Sequence, residues 1–209
     1  MTMPKMLVVA TKNPGKAREF AKMFAQAGMT IKTLLDYPDA RQVNETGHSF
    51  KENAQLKADH FAHELQLPVA ADDSGLMIDA LHGMPGIRSA RYAGDHNDAA
   101  NNAKVLVEMG GLPRDQRRAT FHSTLVLAWP DRPTADLIVS GEVRGEILTV
   151  PQGDNDFGYD PLFYFPPLGK TFAEMTPEEK NGVSHRGIAM RRLEQQWPAW
   201  WAAQEEDQA

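Results

Sequence analysis

MLVVATKNPGK, residues 6–16, selects the fold class. The apolar run Met6–Ala10 reads as a buried strand. Thr11–Gly15 is a loop broken by Pro14 and Gly15. Phe20, Met23, Phe24 and Ala27 then recur at helical spacing until Gly28 stops the helix. A buried strand feeding a helix through a short polar loop is the unit of α/β proteins. Working outward, Ile31–Leu35 is a second strand candidate. Ser49 and Glu52 predict a capping box on a helix reaching about Leu65. Pro68–Asp72 reads as a buried strand leading into an Asp-Asp-Ser-Gly turn, with Leu76–Leu81 continuing as extended chain. Asn97–Met109 is helical and closes at Gly110 and Gly111. Ala119–Trp129 and Ala135–Ile147 predict two long strands, a hairpin around Pro130–Pro133. Residues 151–175 read as loop. Thr176 and Pro177 start a helix, and Ser184 caps a last one ending at Trp197. Trp197, Trp200 and Trp201 crowd together ahead of an acidic tail expected to fray. The expectation is an α/β fold with a mixed sheet.

The 209 residues suffice for one domain, or one domain split into two lobes. Apolar residues make up 42% and charged residues 24%, which excludes disorder over most of the chain. The absence of cysteine excludes a disulfide scaffold, a thiolate zinc site, an iron–sulfur cluster and a cysteine nucleophile. A net charge of −6 argues against a broad nucleic-acid surface and leaves room for a local basic pocket that takes a small polyanion. No apolar run approaches membrane-spanning length, and the start lacks the pattern of a secretory signal. A cytoplasmic protein with neither nucleic acid nor membrane as partner is expected.

Five constellations carry chemistry. Thr11, Lys12, Asn13, Pro14, Gly15 and Lys16 precede a helix, whose N-terminal amides and dipole suit a phosphate. The spacing is not that of a Walker loop, and an ordinary turn with a surface lysine stays open. Lys57 falls in the middle of the apolar face formed by Phe50, Ala54, Phe61 and Leu65. There it needs a carboxylate or phosphate, unless it snorkels to the surface. Asp72 and Asp73 follow an apolar strand; adjacent carboxylates persist best beside a cation, and an oxygen donor set suits magnesium. An acidic turn is the plain alternative. Phe157 to Pro161 places aromatics beside glycine, suited to stacking on a base or to pinning a loop. Lys180, Ser184, His185 and Arg186 stand at two successive helix starts and offer donors to phosphate and to a base edge, or are solvated charge. His60 and His63 project away from the apolar face and read as exposed; Asp95, His96 and Asp98 read as a loop and a cap.

Taken in order, TKNPGK, ETG-x-SF-x-ENA-x-LKA, ADDSGL, PGIRSARYAG, FGYDPLF and EEKN-x-x-SHRG resemble the inosine/xanthosine triphosphate pyrophosphatases, which cleanse the nucleotide pool of non-standard purines. The resemblance spans about residues 6–195. It implies one domain over residues 1–209, with a short acidic tail at 202–209. The implied fold is α/β, with a long mixed central sheet, flanking helices and two lobes around a deep cleft. It also implies a homodimer, dependence on magnesium (Mg2+), and cleavage of the α–β phosphoanhydride of ITP, dITP or XTP to monophosphate and pyrophosphate. By matching position, Thr11 to Lys16 and Ser74 would hold the triphosphate, and Lys180 would contact the nucleotide. Asp73 would be general base and metal ligand, with Asp72 beside it and Lys57 pairing with the carboxylates. Phe157 would stack on the purine, Gly158, Tyr159 and Asp160 would shape its pocket, and His185 and Arg186 would read the six-position oxygen. Many relatives carry two acidic residues before Thr-Gly, whereas Asn44 stands first here. Either Glu45 alone supplies that metal-binding carboxylate, or the amide oxygen of Asn44 takes part.

The charges agree with that reading. A triphosphate carries about four negative charges, which Lys16, Lys57, Lys180 and magnesium can neutralise. Arg186 only donates, so the amino group of adenine would face a second donor. A related Maf-type pyrophosphatase would share the fold, but the SHRG and FGYD motifs argue against it. A non-catalytic nucleotide sensor would not need Asp72, Asp73 and Lys57 together.

Overall fold

A computed structural model describes residues 5–25, 28–94, 97–154 and 157–206. Ala27, Asp95, His96 and the last three residues of the tail, on which the sequence reading also touched, lie outside the described residues. The elements follow in the order β1 (Met6–Val9), α1 (Pro14–Phe24), β2 (Thr30–Thr33), α2 (Phe50–Leu65), β3 (Val69–Ile78), α3 (Asp98–Glu108), β4 (Arg118–Ala128), β5 (Leu137–Ile147), β6 (Phe163–Phe165), β7 (Lys170–Thr171), α4 (Pro177–Val183) and α5 (His185–Glu206). Seven strands form one sheet in the order β2-β1-β3-β4-β5-β6-β7. It is mixed. β1 runs parallel to both β2 and β3, while β5–β6 and β6–β7 are antiparallel. The expected hairpin is present: at its open end Ile147 N donates to Arg117 O at 2.8 Å.

The chain divides into two compact units. The first holds residues 1–73, 124–139 and 190–209, the second residues 74–123 and 140–189. The core of the first packs Ala54, Ala58, Phe61 and Ala62 of α2 against Val8, Val69, Ala71, Val126 and Ala128 of the sheet. Leu65 joins from the edge of that stripe, so the predicted face of α2 is the buried one. The core of the second gathers Leu76, Ile78, Val105, Met109, Phe121, Val143, Phe163 and Phe172.

The structure corrects the sequence reading in five places. Asp72 to Gly75 do not turn; they are the middle of the ten-residue strand β3. Asp, Ser and Gly favour turns as isolated residues, but here they continue a strand that pairs β1 at its start, over Val69 and Ala70, and has β4 as its other neighbour in the sheet. Leu35 falls not in a strand but in a 3-10 turn over Leu34–Asp36, capped by Thr33. The capping box of α2 is half made: Ser49 Oγ accepts from Glu52 N, but the Glu52 carboxylate reaches back to His48 N at 2.7 Å. The stretch read as loop contains the short strands β6 and β7. Finally, α5 does not stop at Trp197 but passes through Pro198 to Glu206. Proline removes one helical hydrogen bond and usually breaks a helix. Here tryptophans hold the continuation: Trp197 packs edge-on against Phe24 at 5.2 Å, and Trp129 against Trp201 at 5.0 Å. The start of the expected fraying tail is helical, and Glu205 pairs with Lys5 at 3.2 Å.

Candidate active site

Parallel register builds the first half of the site. Val9 lies opposite Ala70 in the β1–β3 ladder, so the loop that follows β1 starts beside the stretch of β3 that carries Asp72. Thr11 is buried, and its Oγ1 accepts from Asn13 N at 3.0 Å. Asn13 is the N-cap of α1, its Oδ1 taking Gly15 N at 2.8 Å and Lys16 N at 3.3 Å. The amides that the sequence reading assigned to a phosphate are therefore already met by Asn13. Lys12 is exposed, and Pro14 opens the helix. Lys16, one turn in, turns its Nζ to Asp72 Oδ2 at 2.7 Å.

Successive strand residues face opposite ways, so β3 separates its two carboxylates. Asp73 points to the side of Val69 and Ala71, where α2 packs, and Asn53 of α2 donates Nδ2 to Asp73 Oδ2 at 3.2 Å. Asp72 points to the other side and takes Lys16. Facing opposite ways, the two carboxylates still both act on the charge of Lys57. Asn53 is fully buried, and its Oδ1 accepts from Gly47 N at 2.8 Å. It thus ties the loop carrying Glu45 to the same helix. Lys57, four residues on, bonds Glu45 Oε1 at 2.8 Å. Of the two fates open to this lysine, the structure shows pairing, with its side chain only 16% exposed. Asn44 is exposed.

Three carboxylates and two lysines are therefore concentrated in the first unit. Burial alone would lower the pKa of Lys57, but the charges of Asp72, Asp73 and Glu45 outweigh it and hold the ammonium above its usual value. Burial pushes Asp73 up to about 6; Glu45 and Asp72 add to this, and Lys57 and Asn53 oppose it. A carboxylate tuned toward neutrality and held in a fixed plane is suited to taking a proton from water. Among the described residues, no three His, Cys, Asp or Glu side chains form a cage for a metal ion. Magnesium needs no cage: one or two carboxylates, waters and the phosphates of a substrate complete its octahedron. Glu45 and Asp73, hard oxygen donors in a cluster with one more anion than cations, fit that requirement.

The second unit gathers the other predicted residues. Ser74 Oγ donates to the buried Ser123 Oγ at 2.9 Å. Phe157 is 51% exposed. Gly158 has φ of +57°, a left-handed conformation that glycine adopts without strain. Tyr159 turns into the core and donates its hydroxyl to Ser89 O at 2.8 Å, so it anchors the loop. Asp160 is buried and paired with Lys180, whose ammonium stands 5.4 Å from the centre of the Phe157 ring. Burial raises the pKa of Asp160 even against the charges of Lys180 and Arg186. His185 is buried and stacks on Phe121, centroids 4.7 Å apart at 12°. The first turn of α5 lies close on the sheet at Gly141, where a Cβ would come within 2.2 Å of His185 O and 2.6 Å of Ala189 N.

Two residues now in view escaped the sequence reading, Asn53 and Ser123. Asn53 had a signal, since it sits inside the ENA motif. Asp98 was read as a cap, but Asn97 caps α3, its Oδ1 accepting from Ala100 N at 2.9 Å. Of the two histidines expected to be exposed, His63 is, beside Asp131 at 2.6 Å, whereas His60 is half-buried beside Glu64 at 3.2 Å.

Comparison with known proteins gives the family of the chain. The Ham1 family model matches residues 7–196. The dITP/XTP pyrophosphatase of Lactobacillus johnsonii is 53% identical over 204 residues, 96% of this chain and 99% of its own. That of Geobacillus kaustophilus is 55% identical over 194 residues, covering 92% and 94%. The Ham1 protein of Staphylococcus aureus superposes with a TM-score of 0.85 at 40% identity, over 93% of this chain and 99% of that one. With the family model matched over nearly the whole chain and the fold shared with a Ham1 protein, this chain belongs to the Ham1 family.

Proposed function

We propose that this protein hydrolyses non-standard purine nucleoside triphosphates (dITP, ITP and XTP) to the monophosphate and pyrophosphate. The half-buried cluster of Asp72, Asp73, Glu45, Lys16, Lys57 and Asn53 carries the proposal, because it combines a carboxyl group whose pKa is pushed up to about 6 with cations suited to phosphate. The near-full-length similarity to two dITP/XTP pyrophosphatases supports the substrate class.

In this reading Asp73 takes the proton of the attacking water, and Asn53 fixes the plane of its carboxylate. Lys57 keeps the carboxylates charged and held. Lys16 exchanges Asp72 for the triphosphate, helped by Thr11 to Gly15 and Ser74. Magnesium, held by Asp73 and Glu45, would supply charge neutralisation on the phosphates. In the second unit Phe157 stacks on the purine, with Gly158, Tyr159 and Asp160 shaping its surroundings. Lys180 contacts the nucleotide, and His185 and Arg186 donate to the six-position oxygen. A cytoplasmic homodimer of one two-lobed domain, free of nucleic acid and membrane, completes the proposal. No helix among the described residues is long and apolar enough to cross a membrane.

A pyrophosphate-release assay over all common and deaminated nucleoside triphosphates, with and without magnesium, tests this. Turnover confined to ITP, dITP and XTP in the presence of magnesium is expected. Equal turnover of ATP would remove the substrate assignment, and binding without product would leave a sensor.

A further inference from the structure

The FGYD loop is fastened at three of its four residues. Tyr159 is bonded to Ser89 O and Asp160 to Lys180. The remaining fastening, at Gly158, comes from α3. Gly158 N donates to Asp98 Oδ2 at 2.8 Å, and Asn102 Nδ2 donates to Gly158 O at 2.8 Å. Residues four apart share one helix face, so a single face of α3 grips both peptide planes that flank this glycine. A residue at φ of +57° has neighbouring conformations within easy reach. Two fixed peptide planes remove them. The side chain whose direction this decides is the neighbouring one, the exposed Phe157.

Asn102 shows a further asymmetry. Its Oδ1 is buried and no described residue donates to it. The assignment of oxygen and nitrogen is set by the partner, since a backbone carbonyl needs a donor. A side chain chosen for stability alone would not leave a buried acceptor unsatisfied. It is what a side chain chosen for its donor to Gly158 would leave.

We propose that Asp98 and Asn102 are positioning residues for purine recognition: together they lock Gly158 and so hold the Phe157 ring where a purine stacks. This rests on the reading of Phe157 as the stacking platform. Neither residue touches the phosphates in this proposal, so their effect belongs to the base half of the substrate.

The test uses full-length Asp98→Ala, Asp98→Asn, Asn102→Ala and Phe157→Ala. KM and kcat are measured for XTP and dITP, inhibition by inorganic tripolyphosphate serves as a base-free probe, and the thermal midpoint is recorded. Asp98→Ala and Asn102→Ala should each raise KM roughly tenfold, the scale of one lost hydrogen bond, with kcat nearly unchanged. Tripolyphosphate inhibition should stay as in the wild type. Asp98→Asn keeps an oxygen acceptor and should recover most of the wild-type KM. Asn102→Ala should melt no lower than the wild type. Unchanged KM in both alanine variants, with Phe157→Ala raising it, would overturn the positioning role and leave the stacking platform standing. Unchanged KM in Phe157→Ala would overturn the platform and the proposal with it. A parallel rise in KM and in the tripolyphosphate inhibition constant would also overturn it, as general damage. Should Asn102→Ala fold poorly, the Asp98 pair decides on the same readouts.

Discussion

Each of the two units buries an aspartate against a lysine, and the resulting clusters have different balances. In the first, Asp72, Asp73 and Glu45 face Lys16 and Lys57, so anions outnumber cations. In the second, Asp160 faces both Lys180 and Arg186, with the carboxylate of Asp98 also acting on it, so anions and cations balance. An anionic excess suits a bound metal cation and a base. A balanced cluster rich in donors suits an acceptor, such as a phosphate or a ring oxygen. The comparison teaches that burial of a carboxylate is not diagnostic by itself; the count of counter-charges around it separates chemistry from recognition.

The largest effect that could break this division is at Asp73. Asp73→Asn keeps shape and should lower kcat by about 10²–10⁴-fold, the usual contribution of a general base. The thermal midpoint should hold or rise, because a crowded buried charge is removed. Pyrophosphate release with a parallel melting curve checks both, and substantial residual turnover would reject Asp73 as base. Next is Arg186→Ala, which should lower the ITP-to-ATP ratio of kcat/KM by roughly tenfold to a hundredfold, the value of one charge-assisted hydrogen bond. An equal loss on both nucleotides would move Arg186 to the phosphates and blur the two roles. Lys16→Met should raise KM about tenfold for every nucleotide and leave that ratio alone. A changed ratio with unchanged affinity would mean the first unit also reads the base.

The smallest effect sharpens the comparison with a carboxyl pair that has no lysine. Asp136 accepts from Gln55 Nε2 at 2.9 Å, and burial together with Asp59 raises its pKa to about 7. An unfolded aspartate titrates near 3.9. Between those values the folded chain binds the extra proton, so this pair contributes stability at low pH that is lost as pH rises toward 7. Asp136 is half exposed, which reduces the size of the effect. Asp136→Asn should raise the midpoint by about 1–3 °C near pH 8 and change it little near pH 4. Melting at both pH values decides; an equal shift at both would mean that the proton is not involved.

Much of this was legible in the sequence, for reasons local to each element. The Met6–Lys16 run, the stripe on α2 and the caps at Ser49 and Thr176 depend on neighbours within a turn or two. Lys57 could be singled out because its spacing contradicted its charge. Asp72 to Gly75 misled because turn propensity is a property of the residues, while their strand is continued beside β4, far away in sequence. Pro198 misled in the same way, its helix being carried by Phe24 and Trp129, far away in sequence. Asn102 could not be found at all, since nothing near it in sequence mentions Gly158.

Gly141 makes the base-reading turn vulnerable from behind. It touches no assigned substrate group, yet a single added methyl there would strike the backbone of His185 and Ala189. The strand cannot yield without disturbing its ladder, so the helix start must, and it carries His185 and Arg186 with it. A surveyor of variants in such a chain would score Gly141→Ala as mild by size and chemistry. It should instead behave as a lesion of substrate choice, with its origin one layer beneath the residues that make the choice.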